Sequence, residues 1–263
     1  MGALTPPRVA IVGRGLIGRS IELGLLARGA PVVAALDRGD DLSPVREAGL
    51  VVLAAPVLEN IRLLDAIVPW LAPAAIVTDT GSTKAAIVRA AADVRFVGGH
   101  PVTGGTASGP SAARPDLFEG QRWILTPGDD ADEAAVDTVR GLVESLGAVS
   151  VRLSPDDHDR IFAAVSHLPQ LVISALMRQA GESAGRQGLA LAGPGLRDST
   201  RLASSPPGIW RDILTTNHAE IAAALDRLIG DLVRLRDDAG GEELERIFER
   251  AAFWKAELDE RPI

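Results

Sequence analysis

The chain has 263 residues, a formal net charge of −8, 46% hydrophobic residues and no cysteine. The acidic balance argues against a nucleic-acid partner, and the lack of cysteine excludes disulfides and cysteine-ligated zinc. No unbroken apolar run reaches the roughly 18 residues that a membrane span needs, and we predict a cytoplasmic protein without a metal site or a membrane partner.

Short apolar runs alternate with helical patterns along the first 153 residues. Strand-like runs occur at residues 8–12, 31–36, 50–54, 75–78, 95–97, 123–125 and 148–153. Helical periodicity occurs at residues 16–28, 60–71, 84–92 and 131–146. Continuous apolar strands that alternate with helices are typical of a parallel sheet covered on both faces. We therefore predict an α/β domain with a doubly wound parallel sheet over residues 1–153.

The pattern changes after Pro155, where only helices are predicted. They cover residues 156–186, 207–235 and 242–258, and the segment GPGLRDSTRLASSPPG between the first two is rich in loops. We predict that residues 154–263 form an all-helical domain. Its roughly 110 residues are few for an independent core, and they are rich in Ala and Leu. This favours a homodimer built through the helical domain.

A glycine motif follows the first predicted strand. The stretch VAIVGRGLIGRS places Gly13, Gly15 and Gly18 between a strand and a helix. In a Rossmann-type domain the first glycine permits a tight turn, the second lets the backbone approach a pyrophosphate, and the third packs the helix on the strand. Asp37 ends the second strand, where a carboxylate accepts from the adenosine ribose of NAD. Arg38 could instead pair with a 2′-phosphate, so we predict NAD and leave NADP open.

Two polar segments follow later strands, DTGSTK at residues 79–84 and GGHPVTGG at residues 98–105. Ligands of open parallel sheets lie outside the carboxyl ends of the strands, so we predict that Ser82 and His100 face one cleft. Ser82 or Thr83 could alternatively cap the next helix. The glycines on both sides of His100 favour a rigid backbone that a substrate can approach closely.

Several motifs in this order and spacing resemble the prephenate/arogenate dehydrogenase family of tyrosine biosynthesis. They are GRGLIGRS, LAAPV, DTGSTK, GGHPVTGG, HDRIFAAVSHLPQL and GLRDSTRLASSPPGIWRDI. The resemblance implies oxidative decarboxylation of prephenate to 4-hydroxyphenylpyruvate with hydride transfer to NAD(P). It makes His100 the acceptor of the 4-hydroxyl proton, Ser82 the residue that orients it, and Arg201 the partner of the side-chain carboxylate.

The resemblance also assigns further residues. His167 and Trp210 are implied in the wall of the substrate pocket, as is Gln170, which stands where several members have a second histidine. The implied contacts to the cofactor, beyond the glycines, are Leu16, Ile17, Asp37, Arg38, Ala55 and Pro56. Asp159 and Arg197 are expected either to form ion pairs that position this region or to be structural, and His158 and His218 are expected on the surface.

Three departures from the family pattern matter. Gln170 replaces a histidine, and Gly105-Thr106 replaces Thr-Glu, so arogenate and 4-amino-4-deoxyprephenate remain alternative substrates. Only residues 38–49 separate the second and third strands, which is too short for a strand–helix–strand crossover. We therefore predict that the sheet lacks its outermost strand beyond Asp37, which opens the groove for the adenine.

Two other functions are alternatives for a chain with this pattern. A β-hydroxyacid dehydrogenase or an imine reductase would also join a Rossmann domain to a helical one. The hydroxyacid enzymes use a lysine of the second domain, but Lys255 is the only lysine after Lys84. A non-catalytic dinucleotide sensor would not need Ser82, His100 and Arg201 together.

Overall fold

One seven-stranded sheet organises the first part of the chain. The computed structural model describes residues 7–103, 109–238 and 240–260. Its strands are β1 (Val9–Val12), β2 (Val32–Leu36), β3 (Leu50–Leu53), β4 (Ile76–Asp79), β5 (Phe96–Val102), β6 (Arg122–Pro127) and β7 (Val149–Arg152). Each of the seven predicted strands is present, which confirms the predicted α/β class.

The strand order is β2-β1-β3-β4-β5-β6-β7. The first five strands are parallel, but β6 runs antiparallel to β5, and β7 is parallel to β6. The sheet is therefore mostly parallel rather than wholly parallel as predicted. Parallel neighbours need a crossover, usually a helix. In the described part of the β5–β6 connection the only helical structure is one 3₁₀ turn, Pro110–Ala112.

Helices cover both faces of the sheet. They are α1 (Leu16–Ala27), α2 (Val57–Ile67), α3 (Ala85–Ala90) and α4 (Glu133–Ser145). Alternate strand residues point to opposite faces, so Val9 and Ile11 pack with α1 and α4, whereas Ala10 and Val12 pack with α2 and α3. This two-sided packing is what the continuous apolar strands predicted.

The connection after β2 is short, as predicted. Residues 38–49 contain one 3₁₀ helix, Ser43–Glu47, and no strand, so β2 is the edge of the sheet. The prediction that the sheet lacks an outermost strand on the Asp37 side is confirmed.

The helical domain begins with a nearly continuous helical stretch. Its helices are α5 (Pro155–Phe162), α6 (Leu168–Leu189), α7 (Pro194–Ser199), α8 (Pro207–Thr216), α9 (His218–Asp238) and α10 (Glu242–Asp259). A π-helical turn, Ala163–His167, joins α5 to α6. Pro169 has no N–H to donate to the carbonyl of Val165, and a wider turn accommodates that loss. The predicted helix over residues 207–235 is interrupted at Asn217.

The stretch Pro155–Leu189 is long and apolar enough to cross a membrane by length and composition alone, with a window of mean hydropathy 1.4. The sequence, which has no unbroken apolar run of that length, did not predict this. The stretch begins with Asp156, Asp157 and Asp159 and packs against α9, as a helix of a folded domain does.

Candidate active site

A cavity of about 870 Å³ lies between the carboxyl ends of β1, β3 and β4 and the helical domain. Known ligand pockets have volumes of about 300–1,000 Å³. The predicted site residues in its wall are Gly15, Leu16, Ile17, Arg38, Ala55, Pro56, Ser82 and His100. It adjoins a smaller cavity of about 230 Å³ that adds Gly13 and Asp37. The structure thus brings the predicted catalytic pair and the predicted cofactor residues into one continuous cleft.

The three glycines of the phosphate loop have different surroundings. Gly13 has a φ of +106°, and a Cβ there would lie 2.7 Å from the backbone of Ala54. A Cβ on Gly18 would lie 1.8 Å from the carbonyl oxygen of Gly13. A Cβ on Gly15 would meet no atom of the chain within 4 Å, and Gly15 faces the cavity as the uncapped N-terminus of α1. This is the division of roles that a pyrophosphate site needs.

Two carboxylates lie at the end of β2. Asp37 Oδ1 accepts a hydrogen bond from the backbone N–H of Arg38 at 2.8 Å, and Asp40 Oδ2 accepts from the N–H of Asp37 at 2.8 Å. Asp37, Asp40 and Arg38 all line the smaller cavity. The negative charge of Asp40 was not part of the sequence prediction, and it reinforces that of Asp37.

The sequence predicted that His100 lies in a loop after a strand. In the structure His100 lies within β5. That strand pairs with β4 only through Phe96 and Val97 and then continues along β6, where His100 is opposite Ile124. The preceding glycines also have a different role from the predicted one. A Cβ on Gly98 would lie 2.3 Å from Thr126 Oγ1, and a Cβ on Gly99 would lie 2.5 Å from the carbonyl oxygen of Asp79. They allow close packing inside the sheet rather than close approach of a substrate.

A buried ion pair holds the backbone next to His100. Lys84 Nζ donates to Asp79 Oδ1 at 2.6 Å and Oδ2 at 2.5 Å, and both side chains are fully buried. Lys84 Nζ also donates to the carbonyl of Gly99 at 2.7 Å, and Asp79 Oδ1 accepts from the Gly99 N–H at 3.1 Å. Both polar groups of the residue before His100 are therefore fixed by one ion pair.

The prediction that His158 is a surface residue is wrong. Its side chain is fully buried, and its Nε2 lies 2.8 Å from Nδ1 of His100. Its Nδ1 lies 2.8 Å from Oδ1 of Asp159. Phe162 stacks on the His158 ring at a centroid distance of 4.4 Å and contacts the His100 ring at 4.7 Å. Sequence reasoning missed His158 because it follows two aspartates near the start of a helix, a position that is typical of a solvent-exposed histidine.

Asp159 caps helix α3 from the other domain. Its Oδ1 accepts from the N–H of Lys84 at 2.7 Å, and its Oδ2 accepts from the N–H of Ala85 at 2.9 Å. The expected ion pair is not what holds this carboxylate, and neither Ser82 nor Thr83 caps the helix. Ser82 is instead half-buried in the cavity wall.

Burial lowers the pKa of the histidines here. The pKa of His100 lies well below its ordinary value, first because of desolvation and then because of His158, Lys84 and His167. Desolvation also lowers the pKa of His158. It lowers the pKa of His167 to about 4, against the opposing effect of Asp159. His100 is therefore neutral at physiological pH, as a proton acceptor must be.

The other predicted substrate residues lie apart from His100. Gln170 and Trp210 line a second cavity of about 890 Å³, and Arg201 is exposed and lines neither cavity. Gln170 Nε2 donates to the carbonyl of Leu202 at 2.9 Å, so its amide holds the turn that carries Arg201. His218 is exposed, as predicted. Gly105 and Thr106 lie outside the described residues.

His167 is buried near Trp210, with a distance of 6.4 Å between the ring centroids. Its Nδ1 lies 3.3 Å from the amide of Asn217, and its Nε2 has no hydrogen-bond partner among the described residues. The amide nitrogen of Asn217 can only donate, so Nδ1 accepts and Nε2 carries the ring proton. A buried donor without a partner is costly.

The helical domain supplies wall residues that sequence reasoning missed. Phe162, Ser166 and Asp212 line the larger cavity. The signal was present in the spacing, because residues 158, 162 and 166 lie at intervals of four and share a helix face. Asp212 Oδ2 also lies 3.4 Å from the N–H of Leu58, at the start of α2.

The buried ion pair leads to a stability prediction. Lys84→Met leaves Asp79 buried without its partner, and we expect the free energy of unfolding to fall by about 3–5 kcal/mol. Arg89→Met removes an exposed charge from α3, the helix that follows Lys84, and should change the free energy of unfolding by less than about 0.5 kcal/mol. Urea unfolding of both variants measures the difference. Equal stability of the two would show that the pair does not hold this region together.

The chain is similar to known proteins over nearly its whole length. The chain matches the family model for the prephenate dehydrogenase nucleotide-binding domain over residues 11–152 and that for the dimerization domain over residues 154–251. It is 35% identical to the prephenate dehydrogenase of Bacillus subtilis, over 91% of this chain and 72% of that protein. It is 31% identical to the cyclohexadienyl dehydrogenase of Zymomonas mobilis, over 87% of each.

Solved structures agree with this. The chain superposes on prephenate dehydrogenase from Aquifex aeolicus, solved with hydroxyphenyl propionate and NAD+, with a TM-score of 0.87, 28% identity, and 97% and 99% coverage of the two chains. Synechocystis arogenate dehydrogenase gives a TM-score of 0.81 at 28% identity, with 95% and 99% coverage. This chain belongs to the prephenate dehydrogenase family.

Proposed function

We propose that the chain catalyses the NAD-dependent oxidative decarboxylation of prephenate to 4-hydroxyphenylpyruvate, the reaction that supplies tyrosine biosynthesis. The observation that carries this is the placement of His100 and Ser82 in the wall of the cavity that extends onto the phosphate loop. A dinucleotide sensor has no need of a buried, neutral imidazole at that point. The cytoplasmic location stays a prediction from the sequence.

His100 acts on the 4-hydroxyl of the substrate. NAD bound along the cleft supplies the hydride acceptor. As the C4 hydride leaves, the hydroxyl becomes a carbonyl and must lose its proton, which a neutral imidazole within hydrogen-bond reach accepts. Loss of CO₂ then makes the ring aromatic. Ser82 lies in the same wall and orients the hydroxyl and His100 toward each other.

The cleft fits NAD. The loop at Gly13, Gly15 and Gly18 leaves the N–H groups of α1 free for the pyrophosphate. At the end of β2, Asp37 is placed to accept from the ribose hydroxyls, and Asp40 beside it adds a second negative charge that repels a 2′-phosphate. Arg38 lines this cavity together with the two carboxylates.

The remaining substrate contacts are proposed on family position. Arg201 pairs with the side-chain carboxylate of the substrate, for which a guanidinium offers two parallel hydrogen bonds. Gln170 contributes by holding the Arg201 turn, and Trp210 forms part of the wall of the second cavity. The free Nε2 of His167 is suited to an oxygen of the substrate.

Arogenate and 4-amino-4-deoxyprephenate are the second candidates. Gln170 replaces a histidine of the family pattern, and its amide is engaged within the protein. The deciding experiment offers prephenate, arogenate and the 4-amino analogue to the purified protein, each with NAD and with NADP, and follows reduced cofactor. We expect turnover of prephenate with NAD, and no reduction with any pair would refute the proposal.

We propose that the chain is a homodimer joined through its helical domain. Of the fourteen exposed large hydrophobic side chains among the described residues, eleven lie in that domain, whereas its buried hydrophobic side chains among those residues are five: Phe162, Ala163, Ile213, Ile221 and Ala224. Only 22% of the apolar window in Pro155–Leu189 is buried. Exposed apolar area of this extent marks an interface. Light scattering at micromolar concentration should give twice the mass of one chain, and a monomer would contradict the proposal.

Replacing His100 tests its role as proton acceptor. His100→Asn should lower kcat by roughly 10²–10⁴-fold, the usual contribution of a positioned base. The acid limb of the wild-type kcat profile should lie below pH ~6.5, the ordinary histidine value, because burial, His158, Lys84 and His167 all disfavour the charged ring. The variant should lack this limb while its Kd for NAD stays unchanged. Near-normal turnover by the variant would show that His100 is not the base.

The glycines of the phosphate loop provide a matched pair of variants. Gly15→Ala adds a Cβ that meets no atom of the chain, so Tm should stay unchanged while NAD affinity falls by about tenfold, or ~1.4 kcal/mol. Gly18→Ala forces a Cβ onto the Gly13 carbonyl and should destabilise the fold by at least about 1–3 kcal/mol. Thermal unfolding and NAD titration separate the two effects. Unchanged NAD affinity of the Gly15 variant would argue against pyrophosphate binding at this loop.

A further inference from the structure

Three buried side chains form a hydrogen-bonded chain that leads away from the cavity. His100 Nδ1 lies 2.8 Å from His158 Nε2, and His158 Nδ1 lies 2.8 Å from Asp159 Oδ1. His158 is 0% and Asp159 3% exposed. This series of hydrogen bonds crosses the junction of the domains, because His100 lies in β5 of the sheet whereas His158 and Asp159 lie in α5.

The direction of these hydrogen bonds follows from the Asp159 end. Both carboxylate oxygens accept from backbone N–H groups, those of Lys84 and Ala85, which can only donate. The N-terminal end of α3 also favours negative charge at this point. The carboxylate is thus an acceptor toward His158 as well, which requires a proton on Nδ1 of His158.

The proton on Nδ1 of His158 determines which nitrogen of that ring can accept a hydrogen bond from His100. A neutral imidazole with a proton on Nδ1 has an unprotonated Nε2. His158 is neutral in the folded protein, since desolvation lowers its pKa and outweighs the opposing hydrogen bond to Asp159. Its Nε2 therefore accepts the hydrogen bond from His100, so His100 carries its own proton on Nδ1.

We propose that His158 and Asp159 are positioning residues that hold His100 in its Nδ1–H tautomer, so that its Nε2 is the nitrogen that accepts the substrate proton. The inference rests on the proposed function for the identity of that proton. Phe162 maintains the arrangement by packing against both rings. A role of the same kind is known for a buried aspartate that fixes the tautomer of a catalytic histidine in serine proteases.

The tautomer is measurable without substrate or cofactor. The chain has four histidines, so ¹⁵N-histidine labelling with single substitutions assigns each imidazole in two-bond ¹H–¹⁵N spectra. At pH 8 we expect His100 to show a protonated Nδ1 and an unprotonated Nε2. A proton on Nε2 of His100 overturns the proposal. The expected tautomer in a protein that oxidises none of the three candidate acids would support it and refute the proposed function alone.

Two substitutions of His158 separate positioning from packing. His158→Leu fills the space but removes the acceptor, so both tautomers of His100 become populated. We expect kcat to fall by between about 10-fold and the 10⁴-fold that loss of a base can cost, with the Kd for NAD unchanged. His158→Gln places an amide oxygen near the former Nε2, and it should recover at least about tenfold of that kcat and restore the His100 spectrum. Equal kcat of the Leu and Gln variants, at any level, would overturn the proposal.

Asp159 has a matched control in its own helix. Asp159→Asn leaves one acceptor oxygen for the α3 N–H groups and His158 together, and it should shift the His100 tautomer and lower kcat. Asp156→Asn removes an exposed carboxylate three residues earlier and should change neither. If Asp159→Asn keeps the wild-type His100 tautomer and kcat, Asp159 only caps the helix and the proposal fails.

Discussion

The buried carboxylate of Asp159 is the contact on which the arrangement of the site depends. It belongs to the helical domain, yet it accepts from the first N–H groups of α3 in the sheet domain and from His158. The side chain of Asn217 holds the backbone carbonyl of Asp159 at 2.8 Å. An unpaired helix N-terminus and an unpaired buried carboxylate are both costly. Each domain therefore satisfies a group of the other, and His158 meets His100 only when the two are docked.

A second constraint lies inside the sheet. The Lys84–Asp79 pair binds both polar groups of Gly99, and Gly98 and Gly99 leave no room for side chains against Thr126 and Asp79. His100 thus projects from a backbone fixed on both sides. Most sites of open parallel sheets are carried by loops at the strand ends. Here β5 continues beyond its partner β4 by pairing with the antiparallel β6, so the proposed base His100 lies on a strand. A strand holds a side chain more precisely than a loop does.

The substrate end of the site has a different character. Arg201 is exposed, and the amide of Gln170 donates a hydrogen bond to the turn that carries Arg201. Most of the exposed apolar side chains belong to the same domain, which the family model describes as a dimerization domain. The rigid half of the site is therefore built within one chain. The half proposed to select the substrate lies on the surface where a second chain is proposed to pack.

The sequence alone determined the seven strands, the two-sided sheet, the phosphate loop and the missing edge strand, because these follow from local apolar periodicity, glycine spacing and connection length. Its motifs also identified Ser82 and His100. However, the motifs predicted that His100 lies in a loop and that the glycines beside it allow a substrate to approach closely. Only the tertiary structure decided that β6 runs antiparallel, that His158 is buried against His100, and that Asp159 caps α3. The contacts of His158 with His100 and of Asp159 with α3 join residues 58 to 75 positions apart, and burial and pairing at such separations depend on how the domains dock rather than on any local pattern.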